Sequence, residues 1–226
     1  MVAGSLVVIF SFVKPQQNSP QTISERTLSV EVTESDHRKG NLDSPIALVE
    51  YGDFQCPACR SYAPFIKQIE SEFGDRIVIV FRHLPLRAIH RNAMDAAFAA
   101  EAAARQGKFW EMHDVLFEKQ SEWARENNAK DVFVEYAVSL GLNPDQFRED
   151  FESSETADIV EANFQAAIQD GLNSTPSFFL GGVRIQNPQS YEEFQQAILA
   201  VLGQSEQQAN PSDLEQQEEP ADSNDL

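Results

Sequence analysis

Residues 46–59 read IALVEYGDFQCPAC, and this stretch decides the fold. It opens with an apolar run of strand length. From residue 57 to residue 73 the apolar side chains then repeat at the spacing of one helical face. A second apolar run, IVIVF, follows at residues 77–81. Because runs without polar alternation are typical of strands buried on both faces, the sequence predicts a strand–helix–strand unit of a parallel sheet.

The two cysteines of the 226-residue chain, Cys56 and Cys59, lie at the first turn of this unit. A bridge between them closes too small a loop to stabilise a fold, so their spacing indicates chemistry. Pro57 suits the first helical position, which leaves the Cys56 sulfur at a helix N-terminus. There the unpaired amides and the helix dipole lower a thiol pKa below its usual value of about 8.5. Cys59, one turn along, can attack a mixed disulfide formed on Cys56.

A zinc site is the main alternative for the pair, and it needs two further ligands. The sequence has no second CxxC pattern and no two histidines at metal-binding spacing near the pair. The histidines are His37, His83, His90 and His113. The last three are interpreted as structural or surface residues. The sequence therefore predicts no metal site, and no cofactor apart from a Cys56–Cys59 disulfide.

Beyond the first unit, helical patterns fill residues 87–172. Two short strand patterns flank Gly181 and Gly182 and predict a β-hairpin, and residues 191–202 predict a closing amphipathic helix. The predicted fold class is α/β, in the order βαβ, helical insertion, ββα. Residues 41–203 form this single unit.

The ends of the chain have a different composition. Residues 1–13 are almost wholly apolar and are interpreted as a signal or membrane-anchor segment, although they are shorter than the about 20 residues of a full span. A buried first strand or helix is the alternative. Residues 14–40 predict a polar linker, with residues 27–32 as a possible edge strand. Residues 204–226 carry seven acidic and no basic side chains and predict a disordered tail.

Charge and composition exclude several functions. The chain has 36 acidic and 17 basic residues, a formal net charge of −19, and no dense cluster of Lys and Arg that could follow a phosphate backbone. Nucleic acid is therefore not an expected partner. The apolar content of 42% describes one globular core rather than a multi-span membrane protein. We expect a monomer, because residues 14–40 are too polar to form a dimerisation domain.

Four motifs together resemble the DsbA-like thiol-disulfide oxidoreductases of the thioredoxin superfamily. They are EYGDFQCPAC at residues 50–59, FRHLPL at 81–86, GKFWEMHD at 107–114 and STPSFF at 174–179. The resemblance covers residues 41–203 and implies a thioredoxin fold with an inserted helical domain. It also implies work outside the cytoplasm of a bacterium, on newly translocated proteins.

The resemblance assigns further site residues. A cis-proline faces the CxxC pair in that family, and the matching residue is Pro176, preceded by Thr175. The Thr175 backbone would then pair with an extended client segment as an added strand. Glu50 matches the buried acid that thioredoxin-like proteins keep beneath the second cysteine. A buried carboxyl has a raised pKa and can accept the Cys59 proton, whereas a Glu50 that faced solvent would have no such role.

Three residues beside the sulfurs are predicted to contact clients: Pro57, Ala58 and Phe54. Phe54 is interpreted as an exposed apolar residue of a substrate groove. The dipeptide Pro57-Ala58 departs from the Pro-His of the most oxidising family members. Because a histidine there would add a cation or donor near the sulfur, its absence predicts a reduction potential between thioredoxin and the strongest oxidants.

The predicted function is that of an oxidase which introduces disulfides into cysteine-containing client proteins. A membrane or extracytoplasmic redox partner would regenerate its disulfide. A reductase or isomerase is the first alternative, because the direction of exchange depends on the reduction potential. A tethered peptide-binding chaperone, in which the cysteines are incidental, is the second.

Overall fold

The structure, a computed structural model, describes residues 27–209, and these residues form five strands and eight helices. The strands are β1 (His37–Gly40), β2 (Ala47–Gly52), β3 (Val78–His83), β4 (Ser177–Leu180) and β5 (Val183–Ile185). The helices are α1 (Pro57–Phe73), α2 (Ala93–Ala104), α3 (Phe109–Glu118), α4 (Gln120–Trp123), α5 (Ala129–Ser139), α6 (Pro144–Phe151), α7 (Ser154–Gln169) and α8 (Tyr191–Ala209). The predicted order of βαβ, helical insertion and ββα is confirmed, with β1 added before it.

The strands form one mixed sheet in the order β1-β3-β2-β4-β5. Strands β2 and β3 are parallel, and the other neighbouring pairs are antiparallel. Five of the six β2 residues and all six β3 residues are buried. The prediction that these apolar runs are strands covered on both faces is therefore confirmed.

Alternation along β2 separates the two faces of the sheet. Leu48 packs in an apolar cluster with residues of α1 and α8, whereas Val49 and Tyr51 pack in a second cluster with Ala167 of α7. Glu50, two residues after Leu48, therefore lies on the face that α1 covers. This placement puts the carboxyl on the same side as the cysteines.

The insertion forms a third apolar cluster, from α2 to α6, that extends over the β2–α1 turn. Phe54 and Cys59 belong to this cluster together with buried residues such as Phe109, Phe117 and Trp123. The helical insertion therefore covers one side of the cysteine turn rather than forming a separate body.

The β4–β5 hairpin turns at two glycines, as predicted. Gly181 has a φ of 57° and Gly182 a φ of 81°. Both angles lie in the left-handed region that a two-residue hairpin turn requires and that glycine adopts without steric cost.

The folded unit begins earlier than predicted, because residues 37–40 of the predicted linker form β1 and pair with β3. Their charged side chains do not form an apolar pattern, yet charge is common on edge strands because it discourages pairing between molecules. The edge strand predicted at residues 27–32 is also wrong. In its place Thr27 makes an isolated bridge to Val183.

The folded unit also ends later than predicted, since α8 continues to Ala209 and takes in the first residues of the predicted tail. Gln, Glu and Ala are good helix formers, so polar composition alone does not end a helix that packing has started. The predicted anchor at residues 1–13, residues 14–26 of the predicted linker and residues 210–226 lie outside the described residues. From residue 27 to residue 209, no helix has the length and apolar character needed to cross a membrane.

Candidate active site

The turn between β2 and α1 places the two sulfurs in different surroundings. Cys56 is the N-cap of α1, with extended backbone angles, and Pro57 follows at the start of the helix. Pro57 and Ala58 are exposed beside it. Cys56 keeps 7% of its surface accessible, whereas Cys59 is fully buried. Both are free thiols in the structure. A client can therefore reach Cys56 first.

The loop before β4 brings Thr175 and Pro176 to the same place. The peptide bond between them is cis, and the Thr175 carbonyl accepts a hydrogen bond from Cys56 Sγ at 3.4 Å. The Pro176 carbonyl accepts a hydrogen bond from Asn187 Nδ2 at 2.7 Å, which holds the loop. Thr175 Oγ1 is buried without a hydrogen-bond partner, so this hydroxyl is free to donate to a thiolate at Cys56.

The acidities of the two thiols diverge. The pKa of Cys56 is lowered to about 5, mainly by a hydrogen bond from the Cys59 thiol. Thr175 and the backbone amides at the start of α1 lower it further, whereas burial opposes the shift. Burial raises the pKa of Cys59, and the neighbouring Cys56 and Glu50 raise it further. At neutral pH the pair is therefore a thiolate at Cys56 beside a thiol at Cys59.

Glu50 is buried beneath the pair, with 4% of its surface accessible. Its Oε1 atom has no hydrogen-bond partner. Burial, reinforced by the charge on Cys56, raises the pKa of this carboxyl to about 8. A carboxyl with a pKa near neutrality can both take up and release a proton, and its charge acts directly on Cys59.

Asp53 organises the turn that carries the cysteines. Its buried carboxylate accepts hydrogen bonds from the backbone amides of Gln55 and Leu86, both at 2.8 Å, and from His90 Nδ1 at 2.7 Å. Its own amide donates to Cys59 Sγ at 3.5 Å. An Asp that caps the amide two residues ahead is a recognised turn pattern, so part of this role has a signal in the sequence.

Gln120 is a second residue that the sequence does not reveal. From the short helix α4, its Nε2 donates to the carbonyls of Phe54 at 2.7 Å and Cys56 at 3.0 Å. The side chain therefore ties the insertion to the cysteine turn. Gln120 is separated from Phe54 by 66 residues, so no local pattern could have indicated the contact.

The prediction that Phe54 is exposed is wrong. Only 1% of its surface is accessible, and its ring lies 5.0 Å from the rings of Phe81 and Phe117. Helix α3 of the insertion covers the position that would have been open in a bare strand–helix turn. Phe54 supports the turn from below and cannot line a client groove.

The histidines and Trp110 lie around this region. His83 and His113 are buried, and burial lowers the pKa of His113. His90 bonds to Asp53, as described above. Trp110 is half-buried and donates a hydrogen bond to the Arg38 carbonyl at 3.3 Å.

Comparison with known proteins places these features in context. A family model described as thioredoxin matches residues 32–200. The chain is 25% identical to BdbD from Bacillus subtilis, whose oxidised crystal structure superposes with a TM-score of 0.66 over 74% of this chain and 93% of that chain. Wolbachia pipientis alpha-DsbA1, at 19% identity, shares the fold, with a TM-score of 0.69 over 77% of this chain and 94% of that one.

Curated relatives include larger proteins. The chain is 39% identical over 173 residues to the Na(+)/H(+) antiporter NhaA 1 of Mycolicibacterium vanbaalenii, a match that covers 75% of this chain. It is 42% identical over 159 residues to NhaA 1 of Mycobacterium sp. strain KMS, covering 69% of this chain. The chain spans 27% and 25% of these two relatives, about a quarter of their length.

Proposed function

The chain belongs to the thioredoxin family, in its DsbA-like branch, and we propose that it transfers disulfides to client proteins through Cys56 and Cys59. The observation that carries this proposal is the divergent acidity of the two thiols. Cys56 keeps a small part of its surface accessible and has a pKa of about 5, whereas Cys59 is fully buried and more basic than a free thiol. Such a pair supplies one stable leaving group and one internal nucleophile.

In the proposed oxidase direction, a client thiolate attacks Cys56 Sγ of the Cys56–Cys59 disulfide. The S–S bond breaks, Cys59 leaves as a thiolate, and the protonated Glu50 carboxyl supplies the proton that neutralises it. A second client thiolate then attacks the client sulfur of the mixed disulfide, and Cys56 leaves. Two client thiols become one disulfide, and the protein keeps the two electrons as its dithiol. Departure of Cys56 is favoured because leaving groups of low pKa leave faster.

The client is proposed to lie against the Thr175 backbone as an added strand. The Thr175 carbonyl is 3.4 Å from Cys56 Sγ, so a chain paired along this edge would carry its cysteine to the reactive sulfur. Pro57 and Ala58, which follow Cys56 in the chain, are exposed and are proposed to contact the client as well. Phe54 has no place in this proposal because it is buried.

We propose that the reaction takes place outside the cytoplasm, because disulfides persist in oxidising compartments. The apolar residues 1–13 support this location as a signal or anchor, and a membrane anchor there remains a prediction. The dithiol form would be reoxidised by a redox partner in or near the membrane. The antiporter name belongs to whole relatives of which this chain spans about a quarter, and we do not propose ion transport.

The deciding experiment is the reduction potential of the cysteine pair, measured by equilibration with glutathione buffers and counting of free thiols. A potential near −120 to −180 mV supports disulfide donation, and a potential near −270 mV would replace the oxidase by a reductase. The Cys56→Ala variant separates both from a chaperone. It should lose disulfide transfer to a reduced client, whereas a peptide-binding module would keep its biological activity.

A further inference from the structure

A buried cluster of two histidines and one carboxylate lies beside the sheet. His37 comes from the edge strand β1, His83 from the end of β3 and Glu101 from α2. Glu101 Oε1 is 2.6 Å from His37 Nε2 and 2.7 Å from His83 Nε2. The three ligand atoms all lie within 4.8 Å of one another. Glu101 is separated from the two histidines by 64 and 18 residues, so spacing in the sequence gives no sign of the cluster.

We propose that His37, His83 and Glu101 form a zinc-binding site, separate from the cysteine pair. Two imidazole nitrogens and one carboxylate oxygen, with one position left open, are a common zinc ligand set. The same set disfavours Ca²⁺ and Mg²⁺, which prefer oxygen ligands alone. A zinc ion about 2.0–2.2 Å from each atom requires the ligands to separate by less than about 1 Å from their present hydrogen-bond distances.

The surroundings suit a bound cation. The side chains of His83 and Glu101 are 1% and 3% exposed, whereas His37 is 18% exposed and offers an entry path. The His37 ring stacks on Phe109, with ring centres 3.5 Å apart and planes 7° from parallel, which fixes its orientation. The backbone amide of His83 donates to Asn163 Oδ1 at 2.9 Å, which fixes the end of β3. The ligands are therefore held by packing that does not depend on the metal.

Zinc at this site would hold together three elements, β1, β3 and α2, whose ligand residues are far apart in the sequence. It would join the edge strand β1 to β3 and join both to the insertion through α2. Because zinc does not change oxidation state, it would stabilise the fold near a reactive dithiol without itself exchanging electrons. Copper or nickel would compete for the same ligands when supplied.

The test uses the full-length chain without a purification tag and with both cysteines replaced, as Cys56→Ser/Cys59→Ser. This background removes thiolate binding of zinc and makes the result independent of the proposed redox function. After treatment with a chelator, Zn²⁺ is titrated in competition with a chromophoric chelator. We expect one equivalent to bind per chain, and zinc to raise the melting temperature.

Two substitutions in this background remove ligands, His37→Ala and Glu101→Gln. We expect each to weaken zinc binding more than about 100-fold, beyond the about 10–100-fold that is typical for loss of an outer partner. His90→Ala is the matched control and should bind zinc like its parent. Far-UV circular dichroism checks that each variant folds.

Co²⁺ gives a second readout, because its visible absorption bands report the ligand geometry directly. The bands should appear in the parent and in His90→Ala and be lost in His37→Ala. If less than one equivalent of Zn²⁺ binds to the parent, or if His37→Ala and His90→Ala bind equally, the cluster is only a hydrogen-bonded group and the zinc site is refuted.

Discussion

The low pKa of Cys56 should make the reduced protein lose stability in mild acid. The ordinary pKa of a thiol is about 8.5, and in the folded chain that of Cys56 is about 5. Because the folded-state pKa is depressed, the thiolate adds stability that is complete above the unfolded-state pKa and is lost as pH falls through about 5. At pH 7, two units above the folded-state pKa, it contributes about 3 kcal/mol, and at pH 4.5 almost none of this remains.

The assay is urea unfolding of the reduced protein at pH 7 and pH 4.5, with a reductant that is active in acid. Other acidic groups also titrate over this range, so the quantity to compare is the difference between the parent and Cys56→Ser. Both are made in the Glu50→Gln background, because the charge on Cys56 raises the pKa of Glu50 and the two would otherwise titrate together. The parent should lose about 2–3 kcal/mol more than Cys56→Ser.

The same free energy favours the dithiol over the disulfide, and about 3 kcal/mol corresponds to roughly 60 mV of reduction potential at pH 7. In the Glu50→Gln background the potential of the pair should also change by about 30 mV per pH unit between pH 5 and pH 7, because reduction there takes up one proton for two electrons. Below pH 5 it takes up two protons, and the slope should double. Equal acid sensitivity of parent and Cys56→Ser, or the steeper slope throughout, would refute the stabilised thiolate.

Three further substitutions test individual contacts. Glu50→Gln should slow release of glutathione from its mixed disulfide with Cys56 by about 100-fold, measured by rapid quench, because the carboxyl can no longer exchange a proton. Thr175→Val removes the free hydroxyl beside Cys56 and should raise the pKa of that thiol by about one unit. Ultraviolet absorbance of the thiolate measures this pKa. Asp53→Ala leaves two amides and a histidine without their acceptor and should cost about 2–4 kcal/mol in urea unfolding, whereas the exposed Asp43→Ala should change little.

The elements that carry the cysteines could be predicted because their signals are local. The predicted helix over residues 57–73 has the same bounds in the structure. Continuous apolar runs marked β2 and β3, and two glycines marked the hairpin. Each of these features depends on neighbouring residues in the chain, which a single sequence displays directly.

The failures at Phe54 and β1 share a physical cause, which is that long-range packing decides both. Phe54 seemed exposed because nothing local covers it, and α3 of the insertion buries it. Strand β1 has no apolar pattern and exists because its backbone pairs with β3. Alternation along the strand does not decide whether the Glu50 carboxyl faces solvent or lies beneath the cysteines. The packing on the two faces of the sheet decides it.

The charge distribution of the site also explains how one carboxyl can serve the exchange at the right moment. While Cys56 is a thiolate, its charge raises the pKa of Glu50 and also that of Cys59. When a client sulfur bonds to Cys56, that negative charge is gone, and both pKa values fall. Glu50 and Cys59 then each release a proton more readily, so Cys59 is better able to attack the mixed disulfide when exchange runs in the reductive direction. Formation of the mixed disulfide therefore activates its own resolution, because three groups within one buried site share a single negative charge.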